Sequence, residues 1–236
     1  PMIRDVVLLE LNPSFGNCDT LITNLKSKLQ IIGYELPDSA IIISSIKNVM
    51  KYIGSTDSIS YLNFLEDAYI FLDNYHEYDF METIISETEK LLDDDKLGTD
   101  NNRALLLNNK AILPMNRNEK LAHSISLMNK ALSMCDEKSN PVLFANINMN
   151  LGILYIENKE TERGLEFMDK AYLFIKLCRA YNDDFISIAR NYAATLCENM
   201  RVDKALDVLL ECEFATEECC SNNHAALLYD LGAAYI

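Results

Sequence analysis

Two sets of side chains in this chain have the type and spacing to do chemistry. The first is Cys212, Cys219, Cys220 and His224, written C-x6-C-C-x3-H. Four soft ligands this close together can hold zinc in a tetrahedron. Adjacent cysteines on one helix, however, point about 100° apart, which suits a single tetrahedral site poorly. The second set is a row of carboxamides and carboxylates. The phrase NMNLGILY (148–155) returns as LEDAYIFL (65–72), LNNKAILP (107–114), ARNYAATL (189–196) and LYDLGAAY (228–235). Its third letter is Asp67, Asn109, Asn150, Asn191 and Asp230 in chain order. Every one is Asn or Asp, residues that form helix interiors poorly. A carboxamide both donates and accepts, so a row of them can pair with the C=O and N–H groups of an extended peptide whatever its side chains. Asp67 and Asp230 only accept, and would favour Lys or Arg on a ligand.

Other catalytic patterns are missing. His76, His123 and His224 are far apart in the chain, and no G-x-S-x-G, H-E-x-x-H, phosphate-loop or dinucleotide fingerprint occurs. The acidic runs DDDK (93–96) and NDDF (182–185) fall at expected turns, where they read as solvated charge or helix caps. Nothing separates a catalytic pair from the background of 36 acidic residues. The expectation is a chain that is not an enzyme and uses no metal or cofactor.

The elements that must position the polar row are helices. Apolar residues recur at three- and four-residue spacing almost throughout. Breakers fall at 33–37, 54–57, 98–101, 114–118 and 139–141. The pattern predicts helices near 18–32, 37–53, 58–74, 77–93, 101–113, 118–135, 141–157, 161–180, 183–199, 202–218 and 223–236, with a strand conceivable only at 3–11. The phrase starts are 42, 41, 41 and 39 residues apart. A second phrase follows most copies: TIISETE (83–89), SLMNKAL (126–132), EFMDKAY (166–172) and DVLLECE (207–213). A two-helix unit cannot bury its apolar face alone, so such units stack. Where helices cross closely one side must be small, a role for Ala111, Gly152, Ala193 and Gly232, with Ala131 and Ala171 in the second phrase. Gly152 and Gly232 otherwise cost about 1 kcal/mol each against alanine.

An L-G-x-x-Y phrase followed by a large apolar residue and then alanine resembles the tetratricopeptide repeat (TPR). The resemblance is good over 145–178 and 186–213, partial over 104–135 and 225–236, and weak over 62–92. The period of about 41 exceeds the 34 of the standard repeat and is similar to the long repeats of kinesin light chains and related peptide-binding adaptors. Gly164, Ser124 and Cys212 stand where that family prefers alanine, and its usual tryptophan is absent. The resemblance implies an all-α, right-handed superhelical solenoid of antiparallel helix hairpins. The expected division is an extension (1–17, with Pro1 a cloning residue), a divergent capping pair (18–57), and repeats at 58–98, 99–139, 140–181, 182–221 and an incomplete 222–236. It also implies that the Asn/Asp position faces a concave groove, with Asn146, Ile153, Ile112, Met149 and Arg190 beside it. Long-repeat members bind peptides through an asparagine ladder of this kind. The bland alternative is that Asn109, Asn150 and Asn191 hold neighbouring helices together.

The chain's 236 residues carry a net charge of −15. That surface repels phosphate backbones and tolerates neutral or basic protein segments best. Seven cysteines in apolar helical stretches, with no signal-peptide pattern or membrane-length apolar run, read as reduced thiols in a cytoplasmic protein, with the nucleus as the alternative. Tyr61, Tyr69, Tyr75, Tyr78 and Phe80 gather around one hairpin, read as core packing or as a partner's hot spot. The expected function is a protein-interaction scaffold that binds an extended segment of a partner, within a longer protein whose open last repeat could self-associate. The alternative is a structural or regulatory arm of a larger assembly, of the separase or cohesin-loader type.

Overall fold

The computed structural model describes residues 43–44, 46–47, 49–51, 58–74, 76–93, 96–116, 121–178, 183–216 and 222–234. The expected extension, most of the capping pair, and the possible strand at 3–11 lie outside them. The chain divides into two compact units, residues 1–99 and 100–236.

In the first unit, α1 (Ser58–Asn74) packs antiparallel on α2 (Tyr78–Leu91). Leu62, Leu65, Ala68 and Leu72 of α1 are buried, as are Met81 and Ile84 of α2 and Ile46 and Val49 of the helical stretch before them. Tyr61, Tyr69 and Phe80 are buried as well. The aromatic cluster is therefore core at these three positions, and the hot-spot alternative fails there. Tyr78 is half-buried, its hydroxyl 2.8 Å from His76 Nδ1.

Among its described residues the second unit holds three complete helix pairs and a further helix. They are α3 (Asp100–Asn116) with α4 (Leu121–Met134), α5 (Pro141–Glu157) with α6 (Thr161–Leu177), α7 (Asp183–Glu198) with α8 (Val202–Ala215), and α9 (Asn222–Ala234). Each pair packs within itself and on the next, and the first helices α3, α5, α7 and α9 also touch in succession. Asn140 starts α5: its Oδ1 accepts from the Leu143 N–H at 3.2 Å, with Pro141 in the first turn. That is the arrangement in which proline costs least, because no helical partner exists for its missing N–H.

Helix α5 explains why NMNLGILY is the clearest copy. Leu143, Ile147, Leu151, Leu154 and Tyr155 join one core with α3 and α4. Ala145 and Met149 join a second core with α6, α7 and α8. A helix that feeds two cores is apolar almost all round. Its crossing with α6 is made by Gly152 and Gly164. A Cβ on Gly152 would sit 2.8 Å from the Gly164 carbonyl oxygen, and one on Gly164 would sit 2.6 Å from the Gly152 oxygen. Gly232, expected to serve the same close approach, has nothing within 4 Å of where its Cβ would be.

Three described turns inside the pairs share a geometry without glycine. His76, Lys159 and Met200 have φ of 57°, 64° and 59°. In each, that residue's N–H donates three positions back, and the next residue's N–H donates five positions back: Lys159 to Ile156 and Glu160 to Tyr155, both at 2.8 Å. Met200 and Arg201 repeat the pattern on Cys197 and Leu196, and His76 and Glu77 on Asp73 and Leu72. This is the Schellman helix end, which satisfies two orphan carbonyls and normally favours glycine at the left-handed residue.

Candidate functional site

The first helices carry the polar row. In the second unit Asn109, Asn150 and Asp230 are half-buried and Asn191 is exposed, whereas the faces that meet the second helices are closed. Asp67 is half-buried on α1, in the first unit. Asn146, Ile153, Ile112 and Arg190 are half-buried too. Met149, expected among these groove neighbours, is only 2% exposed and lies in the core beneath α5. The reason is that α5 turns inward on two sides, so the position before Asn150 faces the α6–α8 core.

Some of the row is already engaged between helices. Asn150 Nδ2 donates to Asn108 Oδ1 at 3.0 Å, and Asn108 Nδ2 donates to Asn109 Oδ1 at 3.2 Å. Three carboxamides thus link α5 to α3. Asn108 is 6% exposed and was not among the expected site residues. The doubled Asn-Asn at 108–109 was its only signal. One repeat pair further on, Arg190 Nε meets Asp230 Oδ2 at 2.6 Å, joining α7 to α9. Asp230 was expected to attract a basic ligand residue; here the chain's own arginine occupies one of its oxygens. Asn191's carboxamide makes no hydrogen bond with a described residue, and Asn150 Oδ1 accepts none from one.

Beside this pair lies a pocket of about 230 Å³, lined by Ala193, Ala194, Cys197, Leu209, Asp230, Ala233 and Ala234. Small-molecule sites commonly run to about 300–1,000 Å³, so this one has room for a single large side chain. Its walls are mostly alanine: small residues on two neighbouring first helices leave the space. Ile112, Ile153 and Met149, the apolar residues expected beside the polar row, do not line this one.

The second helices are tied together on the opposite side. Arg201 Nη2 meets Glu162 Oε1 at 2.5 Å, and Lys204 Nζ meets Asp169 Oδ1 at 2.8 Å. Glu211 takes a bond from the Tyr172 hydroxyl at 2.7 Å and an ion pair from Lys176. The Lys176 and Tyr172 bonds hold the Glu211 carboxyl below its ordinary value. Burial raises the Asp169 carboxyl, but the bonds from Lys204 and the Tyr192 hydroxyl (2.7 Å) outweigh it and bring it below the ordinary value.

Cys212, one of the four soft ligands, is fully buried in the core. Burial pushes its thiol up to about 12, so a thiolate ligand would be costly there. Cys219, Cys220 and the side chain of His224 lie outside the described residues. Among the described residues no group of three or more His, Cys, Asp or Glu side chains is placed to hold a metal ion. No described helix is long and apolar enough to cross a membrane.

BtubC (BKLC) from P. vanneervenii superposes with a TM-score of 0.61 over 82% of this chain and 81% of its own, at 13% identity. A kinesin light chain-type protein of Podosopora anserina, with nearly identical TPR-like repeats, superposes with a TM-score of 0.53 at 11% identity, covering 74% of this chain and 85% of its own. A single-residue variant of that protein gives 0.54. The chain has a TPR-like repeat fold. No family model matches the sequence, and no curated protein matches it. The TPR-like assignment therefore rests on the stacked hairpins, the small-residue crossings and the register of the repeated phrase.

Proposed function

We propose that residues 100–236 form a non-catalytic interaction scaffold whose first helices hold an extended segment of a partner protein. Asn191 and the remaining valences of Asn150 bond the segment's backbone. The alanine-walled pocket takes one of its apolar side chains. The observation that carries this reading is the pocket of about 230 Å³ with Asp230 in its wall, on the helix next to the exposed Asn191. The net charge of −15 favours a neutral-to-basic segment, and ordering such a segment requires contacts spread over several repeats.

Two observations favour a second reading, a structural or regulatory arm. The Asn150–Asn108 and Arg190–Asp230 contacts use polar letters of the phrase to join neighbouring helices. The readings separate by experiment. Wild type, Asn191→Ala and Ala194→Trp are immobilised, cell extract is passed over each, and retained proteins are identified by mass spectrometry. Ala194 is exposed and lines the pocket, so tryptophan there blocks it without entering the core. The scaffold reading expects a specific partner to be lost by both variants at unchanged melting temperature. Retention of every partner by both variants rejects it in favour of the arm.

A further inference from the structure

The outer face of the second helices carries an apolar patch that the fold does not require. Leu173 and Leu177 of α6 are 45% and 81% exposed, and Leu210 and Phe214 of α8 are 42% and 80% exposed. Their relative placement follows from the ties between these helices. Contacts run in ascending order, 162 to 201, 169 to 204, and 172 and 176 to 211, so α6 and α8 are parallel. Glu211 faces Tyr172 and Lys176. Each residue of a helix is turned about 100° from the one before it. Leu173 and Leu177, one step after the facing residues, and Leu210 and Phe214, one before and three after Glu211, therefore turn to the same outer side. They make two short ridges with a furrow between.

The repeat register shows that packing does not demand these residues. Aligning SLMNKAL, EFMDKAY and DVLLECE brings Ser133, Leu173 and Phe214 to one position. Ser133 is exposed on α4, its hydroxyl donating to the Lys130 carbonyl at 2.7 Å. The same place is thus served by serine in one repeat and by large apolar residues in the next two. Apolar residues exposed in a cluster mark interaction surfaces more often than apolar residues scattered singly.

Charge selects the occupant. Toward the N-terminal halves of the same two helices, the same face carries Glu166, Asp203 and Asp207, all exposed and without an ion pair to a described residue. The acids nearer the helix contact line are already neutralised by Arg201, Lys204 and Lys176. The outer face is therefore apolar at one end and net negative at the other, with exposed Lys170, its ammonium over the Phe144 ring, lying between Glu166 and Leu173. The two helices are joined by long side-chain ties rather than by close backbone packing, and the furrow this leaves between the apolar ridges suits one further helix.

We propose that this face docks an amphipathic helix of a partner protein, with an apolar stripe on the α6–α8 ridges and Lys or Arg residues over Glu166, Asp203 and Asp207. The site is separate from the first-helix groove and stands or falls independently of it. The test uses a fluorescein-labelled model helix of about 18 residues, five turns, built of Leu and Lys with Leu at helical spacing, beside the same peptide with Glu for Lys. Fluorescence anisotropy is read on the whole chain, with circular dichroism and sedimentation equilibrium on each variant. The Leu/Lys helix should bind wild type and bind Leu173→Ser/Leu177→Ser/Leu210→Ser/Phe214→Ser at least roughly tenfold more weakly, although net charge is unchanged. Glu166→Lys/Asp203→Lys/Asp207→Lys should switch preference to the Leu/Glu helix, a readout that holds even if the serine variant folds poorly. Equal binding by a folded serine variant, or loss of binding in Ala194→Trp instead, overturns the proposal. So does a wild-type dimer that the serine variant abolishes, because a second copy would then be the occupant.

Discussion

Glycine to alanine should have opposite effects at two copies of the same repeat position. At Gly152, alanine gains about 1 kcal/mol of helix propensity. Against that, its Cβ would stand 2.3 Å from Met168 Cγ, 2.8 Å from the Gly164 oxygen and 3.2 Å from the Met168 nitrogen. Met168 can shift its side chain; the backbone atoms of α6 cannot move without the helix. Restoring ordinary contact requires α5 and α6 to part by roughly half an ångström or more, and a gap of that size forfeits about a quarter to a half of each dispersion contact across it. Overpacking costs about 1–3 kcal/mol, and a clash with backbone atoms at the most extensively packed pair belongs in the upper half of that range, about 2–3 kcal/mol. Net destabilisation of Gly152→Ala by about 1–2 kcal/mol is expected. At Gly232 nothing lies within 4 Å of the new Cβ, so only the propensity gain remains. Because Gly232 is in the last turn of α9, that gain should be a few tenths of a kcal/mol, up to about 1. Urea unfolding followed by circular dichroism reads both, with the slope checked for constancy. A Gly152→Ala protein as stable as wild type would refute the helix contact; a large loss at Gly232 would mean that a neighbour covers that face.

Four further outcomes follow from the same structure. Lys159→Gly and Met200→Gly place glycine at left-handed helix ends and should each raise stability by up to about 1 kcal/mol, measured by thermal melting; a loss would mean that the side chains have unseen roles. Ser124 is fully buried with no partner for its hydroxyl among the described residues, so Ser124→Ala should stabilise by about 0.5–1 kcal/mol in the same assay. Asn150→Ala strips the donor from buried Asn108 and should cost about 1 kcal/mol, while exposed Asn191→Ala should stay within about 0.5 kcal/mol of wild type. Asp169 and Glu211 titrate below their ordinary values when folded, so their contribution is complete above the unfolded carboxylate range and is lost as pH falls through the folded values. The drop in Tm on acidification from about pH 5 to 3 should therefore be smaller in Asp169→Asn/Glu211→Gln than in wild type; an equal drop would show that these ties add nothing.

Helix positions were legible where caps and periodicity agreed. Asn140-Pro141 marks the start of α5, and the apolar spacing carries it to Glu157, the bounds expected from sequence. The Gly152 crossing was legible because glycine in a helix interior needs a reason. The same argument failed at Gly232, where no described residue approaches. The helix ends at His76, Lys159 and Met200 could not be read from glycine, since each uses a side-chain-bearing residue in the left-handed region. On the site, the phrase marks which helices carry Asn or Asp, but not whom each residue meets. Asn150 reaches Asn108 and Asp230 reaches Arg190 because neighbouring first helices lie side by side, a distance of about 40 residues in sequence. Met149 was misread because position within the phrase does not reveal that α5 is enclosed on two sides. The pocket escaped notice because it consists of missing volume, left by alanines on two neighbouring first helices.

The central claim, that a partner segment lies along the first helices, is tested most directly by placing a photo-crosslinking amino acid at position 194. Exposure to cell extract, irradiation and peptide sequencing would identify what lies against it. The expected result is adducts to one neutral-to-basic protein segment, competed by a synthetic copy of that segment and lost in Asn191→Ala. Absence of any specific adduct at 194, from protein whose melting matches wild type, would contradict it.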